Sequence, residues 1–196
     1  MKNGARFALA AILMLFMAVG AFSAERSDFL HLAHFGTTAQ VRAVLNRGAN
    51  VNVRRGNGST PLVESVFNKD IGVFPLLLER GADIHARDRD GATPLMIVAL
   101  YGKDLLNQLR MLIDAGADVN ARADDGRTAL IYLCMTSLIH PQPAQAVGLL
   151  LDSGADPSTL ASCSSRLGFL KIFLLDPRFL GRRRRALSSL ALLARR

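Results

Sequence analysis

The chain has 196 residues with two Cys, no Trp and half of its residues apolar, a composition that excludes both a disordered chain and a disulfide scaffold. No cysteine pair has a zinc-like C-x-x-C spacing. The net charge of +8 divides unevenly: residues 1–24 carry +2, residues 27–176 carry 14 basic and 15 acidic side chains, and residues 177–196 carry seven Arg and no acid. An electroneutral middle argues against a nucleic-acid groove formed by the domain itself, so no nucleic-acid partner is expected.

Residues 1–24 read as a targeting segment. Lys2 and Arg6 make a basic start, Phe7 to Val19 is an uncharged apolar run of 13 residues, and Val19-Gly20-Ala21 and Ala21-Phe22-Ser23 both fit a small-x-small cleavage rule. The run is short of the roughly 20 apolar residues that a membrane-spanning helix needs. It is read as a secretory signal peptide or an uncleaved anchor. Either one places the rest of the chain outside the cytoplasm, periplasmic or secreted, or anchored facing the periplasm.

Residues 25–176 repeat. One phrase recurs at Gly48-Ala49-Asn50-Val51-Asn52, Gly81-Ala82-Asp83-Ile84-His85, Gly116-Ala117-Asp118-Val119-Asn120 and Gly154-Ala155-Asp156, with glycines 33, 35 and 38 residues apart. A second phrase precedes three of them: Gly58-Ser59-Thr60-Pro61-Leu62, Gly91-Ala92-Thr93-Pro94-Leu95 and Gly126-Arg127-Thr128-Ala129-Leu130. Two short apolar-periodic stretches lie between the phrases. Each unit therefore reads turn, helix, turn, helix, extended loop. Thr60, Thr93 and Thr128 sit where a hydroxyl can cap a helix start, and Pro61 and Pro94 occupy the first helical position, where a missing N–H costs nothing. The recurring glycines follow apolar stretches, at the helix end where a left-handed backbone is needed. Helices of about ten residues are too short to stand alone. They must stack, burying Leu62, Leu95 and Leu130 against the next unit.

The period and the two phrases together resemble the ankyrin repeat family, in the form of an exported, bacterial-type ankyrin repeat protein. The resemblance implies an all-α solenoid of about four to five helix-turn-helix units with extended loops, plus a C-terminal helix. The units span about 27–57, 58–90, 91–124 and 125–158, with a degenerate fifth at 159–176. The family's T-P-L-H has no His here; the fourth position is Val63, Met96 or Ile131. The hydrogen bonds of that His must be replaced or absent. Glu64 stands where an apolar residue is expected and is either partly exposed or a buried acid in need of a partner.

By the resemblance, the function is a non-enzymatic protein–protein interaction scaffold, binding or regulating a periplasmic protein and needing no cofactor. The positions carried over are the loop tips, with Arg54, Arg55, Arg87, Arg89, Arg122 and Asp124, and the ends of the first helices, with His34 and Phe35, Phe67 and Asn68, Leu100 and Tyr101, and Met135 and Thr136. Phe35, Phe67 and Tyr101 form a row suited to a protein partner, unless they pack under the next loop. His31 and His34, three apart, share a helix face, but metal binding would need more ligands than Asp28, so no metal site is expected. Cys134 and Cys163 fall on the first helices of adjacent units, as a disulfide or as two small buried thiols.

Residues 177–196 pair Arg182, Arg183, Arg184 and Arg185 with Leu187, Leu190, Ala191 and Ala194 on one helical face. This reads as a helix capping the last repeat or as a basic amphipathic segment on anionic lipid. The second reading, an uncleaved N-terminal anchor, or both together carry the alternative function, a membrane-associated ankyrin protein.

Overall fold

The structure is a computed structural model that describes residues 28–136 and 143–162. The apolar head, residues 137–142, Cys163, most of the degenerate fifth unit and the Arg-rich tail lie outside the described residues. Within them the chain is helical: α1 (28–35), α2 (Thr38–Asn46), α3 (Pro61–Ser65), α4 (Val73–Glu79), α5 (Pro94–Tyr101), α6 (Leu105–Asp114), α7 (Ala129–Met135) and α8 (Pro143–Asp152), then a 3-10 turn, Pro157–Ser162. First helices pack on the second helices of their own units, α3 on α4, α5 on α6 and α7 on α8. First helices stack on first helices, α3 on α5 and α5 on α7; among the second helices α2 packs on α4 and α6 on α8. The fold is an all-α solenoid.

Local chemistry sets the helix boundaries. Thr60, Thr93 and Thr128 are all extended, with ψ near 160–170°, and the helix begins at the following residue. The capping expectation holds at Thr60 alone, whose Oγ1 accepts from the Val63 N–H at 3.4 Å. Thr93 and Thr128 make no such bond. Thr128 Oγ1 instead lies 3.5 Å from Thr159 Oγ1 of the following unit. A full cap forms where no proline assists: the Gln40 N–H donates to Thr37 Oγ1 and the Thr37 N–H donates to Gln40 Oε1, a reciprocal box at the start of α2. The second helices end as expected. Gly48, Gly81, Gly116 and Gly154 have φ between 80° and 93°. The next N–H folds back to the last helical turn, as from Ala82 to Leu77 O at 3.0 Å and from Ala117 to Leu112 O at 2.9 Å.

The core is one continuous stripe between the two helix layers. Leu62, Leu95 and Leu130 occupy equivalent places in successive units and are at most 1% exposed, packed with Phe74, Leu77, Leu109, Leu112, Leu133 and Leu150. Burying such a side chain contributes roughly 1.5–3 kcal/mol, and no single pair of helices encloses one alone.

Val63, Met96 and Ile131 have no side-chain donor to stand in for the missing histidine, and the units are tied elsewhere. A side chain at the end of each first helix reaches back to a carbonyl of the preceding unit. Asn68 Nδ2 donates to Ala33 O and Gly36 O, both at 2.9 Å; Lys103 Nζ donates to Phe67 O at 2.7 Å; Thr136 Oγ1 donates to Ala99 O at 3.2 Å. Asp70 adds a tie between the first two units. Its carboxylate accepts from the Thr38 N–H at the start of α2 at 2.7 Å and from the Gly72 N–H at 3.0 Å.

Those ties make testable demands. Asn68 is buried, so Asn68→Ala leaves two carbonyls without their donor and lowers stability by about 2–3 kcal/mol, read by urea denaturation. The Thr38 backbone N–H, with help from that of Gly72, holds the Asp70 carboxyl below its ordinary 3.8. A group depressed on folding stabilises the fold above its unfolded value and stops doing so as pH falls through its folded value. The melting temperature therefore drops more between about pH 5 and pH 3 in the wild type than in Asp70→Asn, read by circular dichroism.

Candidate interaction surface

The ends of the first helices carry two kinds of side chain. Asn68 and Thr136 point into the stack and make the ties above. Their neighbours Phe67 and Met135 do not. Phe35 is 69% exposed, Tyr101 52% and Met135 41%, and Phe67 is half-buried between them. The rings touch in sequence. His34 lies 4.0 Å from Phe35 and stacks on Phe67 at 5.5 Å with an 11° interplanar angle; Phe67 meets Tyr101 at 5.4 Å. His31 packs on Phe35 at 5.0 Å. The structure thus brings Phe35, Phe67 and Tyr101 together as one aromatic ladder crossing three units, with Met135 at the equivalent helix end of the fourth. The 5–5.5 Å spacings are those of favourable tilted and offset ring pairs.

His34 is fixed from behind. Its Nδ1 is 2.8 Å from Glu64 Oε2, and the other carboxylate oxygen accepts from Ser59 Oγ at 2.9 Å and lies 3.5 Å from Arg55 Nη1. Glu64 is only 7% exposed, so it is the buried, partnered acid and not the partly exposed side chain. Its apolar-looking position is satisfied by three polar groups from two units, which is how a buried carboxylate is accommodated. His34 and His31 are absorbed by ring contacts and this pair. Among the described residues no group of three or more His, Cys, Asp or Glu side chains is placed to hold a metal ion. Cys134 is buried in α7, and its suggested partner Cys163 is outside the described residues.

The loop arginines are committed elsewhere. Arg54 Nη1 donates to Arg87 O at 3.1 Å, and its Nη2 is 3.4 Å from Asp83. Arg87 Nη1 donates to Gly91 O at 3.0 Å and to Arg122 O at 2.7 Å. Arg89 Nε donates to Gly56 O at 2.8 Å, and Arg122 Nη1 to Gly126 O at 3.0 Å. Asp124 joins by its backbone, its N–H donating to Asp90 O at 2.9 Å. Each loop tip is laid across the next. Gly58 is needed for that approach, since a Cβ there would come within 2.8 Å of Asp88 Cα. The side chains remain at the surface, but Arg54, Arg87, Arg89 and Arg122 each bond at least one carbonyl of the stack.

Two exposed features had no periodic signal in the sequence. Ile71 is 68% exposed in the turn between α3 and α4. Tyr132 donates to Asp125 Oδ2 at 3.2 Å, and the Arg127 guanidinium lies 6.0 Å from its ring centre. The backbone N–H of Arg127, its guanidinium and the Tyr132 hydroxyl hold the Asp125 carboxyl low, while partial burial and the Asp125 charge push the Tyr132 hydroxyl up.

Residues 72–161 match the family model of ankyrin repeats in three copies. No curated protein matches the chain. The same helix–turn–helix–loop plan continues in the structure to residue 28, ahead of the matched span.

Arg87→Ala separates a structural arginine from one held ready for a partner. It removes one bond within its own loop, to Gly91 O, and one to Arg122 O of the next loop, and lowers stability by about 1–2 kcal/mol with no partner present, measured by urea denaturation.

Proposed function

We propose that this chain, an ankyrin repeat protein, is a non-enzymatic scaffold that binds another protein through the aromatic ladder of its first-helix ends and works outside the cytoplasm. The observation that carries the reading is the continuity of Phe35, Phe67 and Tyr101 across three units, with the exposed Met135 at the equivalent helix end of the fourth. Soluble chains seldom leave several large apolar side chains adjoining at the surface without a use. Aromatic anchors that lose little rotamer freedom are the usual energetic centre of a protein interface. A stack of repeats offers an extended surface of this kind and little in the way of an enclosed reaction pocket. Arg54, Arg55, Arg87, Arg89, Arg122 and Asp124 then form a rim whose role is to hold the loops in line beside the ladder. The location rests on the basic start at Lys2 and Arg6 and the apolar run from Phe7 to Val19, which read as an export signal or an anchor. The natural partner is accordingly a periplasmic or secreted protein.

The test is a pull-down of the tagged chain, residues 25–196, from its own cell envelope, beside the triple variant Phe35→Ala, Phe67→Ala, Tyr101→Ala. One dominant protein, lost in the triple variant, is the expected result. Phe35 and Tyr101 are exposed, so their truncation changes stability by less than about 0.5 kcal/mol each. Their loss weakens binding by about 2 kcal/mol or more per true anchor, read by titration calorimetry on the captured protein. Recovery of lipid alone, equal for both chains and released by high salt, would overturn the ladder and assign the contact to Arg182, Arg183, Arg184 and Arg185.

A further inference from the structure

The three seams between described units are not equivalent. At the first, Asn52 closes two bonds into the next unit: its Nδ2 donates to Gly81 O at 3.2 Å, and its Oδ1 accepts from the Asp83 N–H at 2.8 Å. At the third, Asn120 repeats the pattern, with Nδ2 donating to Gly154 O at 2.9 Å and Oδ1 accepting from the Asp156 N–H at 2.8 Å. At the second seam the same position is His85. Its own N–H turns back to Asp83 Oδ1 at 2.9 Å, and among the described residues its ring bonds neither Gly116 O nor the Asp118 N–H. An imidazole is rigid and too wide to offer an adjacent donor and acceptor as an amide does.

Two further observations fall on that seam. A cavity of about 90 Å³ opens there, lined by Ile84, His85 and Arg87 from one unit and by Thr93, Ala117, Asp118 and Ala121 from the next. Thr93 is only 6% exposed, yet its hydroxyl has no hydrogen-bond partner among the described residues. The space is polar and large enough for water, which would loosen this seam. The second helices agree: α2 packs on α4 and α6 on α8, while α4 and α6 have no comparable contact.

We propose that the seam between residues 58–90 and 91–124 is a hinge, built by placing His85 where the other units place Asn. The seam is held at its two ends and open in its middle. Arg87 still donates to Arg122 O at the loop tip, and Lys103 to Phe67 O at the helix end. Motion is therefore a flexing about those ties and not a separation of halves. Phe35 and Phe67 lie on one side of the seam, Tyr101 and Met135 on the other. Flexing changes the Phe67–Tyr101 contact first, so the ladder has one adjustable joint. The hinge rests on the seam alone and would survive failure of the binding reading.

Amide hydrogen exchange on the full chain tests it. The Asp118 amide should exchange on the order of tenfold or more faster than the Asp83 and Asp156 amides, its bonded counterparts. His85→Asn should bring Asp118 to the level of those two and raise the melting temperature by roughly 3–8 °C. The reverse variant, Asn120→His, should move the defect one seam on, accelerating exchange at Asp156 and lowering the melting temperature. Equal protection of the three amides in the wild type would overturn the hinge. So would a folded His85→Asn chain with unchanged exchange at Asp118, or an Asn120→His chain as stable as the wild type.

Discussion

A helix of five to ten residues does not persist in water, and that constraint governs everything in this molecule. Each helix pair buries its apolar stripe only by borrowing a surface from the next pair, and each unit leaves carbonyls and N–H groups that only its neighbour satisfies. Stability is thus located at seams. Leu62, Leu95 and Leu130 supply the apolar part of each seam. Asn68, Lys103 and Thr136 supply a polar tie at the helix ends, Asn52 and Asn120 at the glycine turns, and the loop arginines at the tips. Three layers of hydrogen bonds run parallel to one stripe of leucines.

The division of labour at the first-helix ends follows from this. Two adjacent residues there point to different sides of the helix. One is conscripted by the preceding unit and the other is left at the surface. Asn68 and Thr136 are the first kind; Phe67 and Met135 are the second. In the first unit His34 takes an intermediate part, bonding Glu64 through one ring nitrogen while its face stacks on Phe67. An aromatic ladder is the outcome of repeating that geometry, and a surface built this way has the rigidity of the stack behind it.

Much of the fold was legible in the sequence because it is written in residues with narrow conformational tolerance. The glycines at 48, 81, 116 and 154 and the Thr-Pro pairs mark helix ends and starts with little ambiguity. The row Phe35, Phe67 and Tyr101 was legible by position, though its ring contacts were not. What the sequence left open is what depends on long-range partners. Glu64 reads as a misplaced charge until Ser59, Arg55 and His34 are seen around it. Asn68, Lys103 and Thr136 share no chemistry beyond one donor, so no motif announces their common role. The loop arginines look like free surface charge, since a guanidinium bonding carbonyls about 33 residues away leaves no local trace. Thr93 and Thr128 show the converse: the capping residue is present, but its hydroxyl is not used for capping.

The ties between units share one further property. Asn68 to Ala33, Asn52 to Gly81, Arg87 to Arg122 and Thr136 to Ala99 each span between 29 and 37 residues. No tie among the described residues joins distant ends of the chain. A chain emerging end-first from a ribosome therefore meets every partner it needs within the next few dozen residues, and its nascent apolar surface is never larger than one open face. The length of time that face stays uncovered is set by the rate of chain delivery and not by the length of the protein.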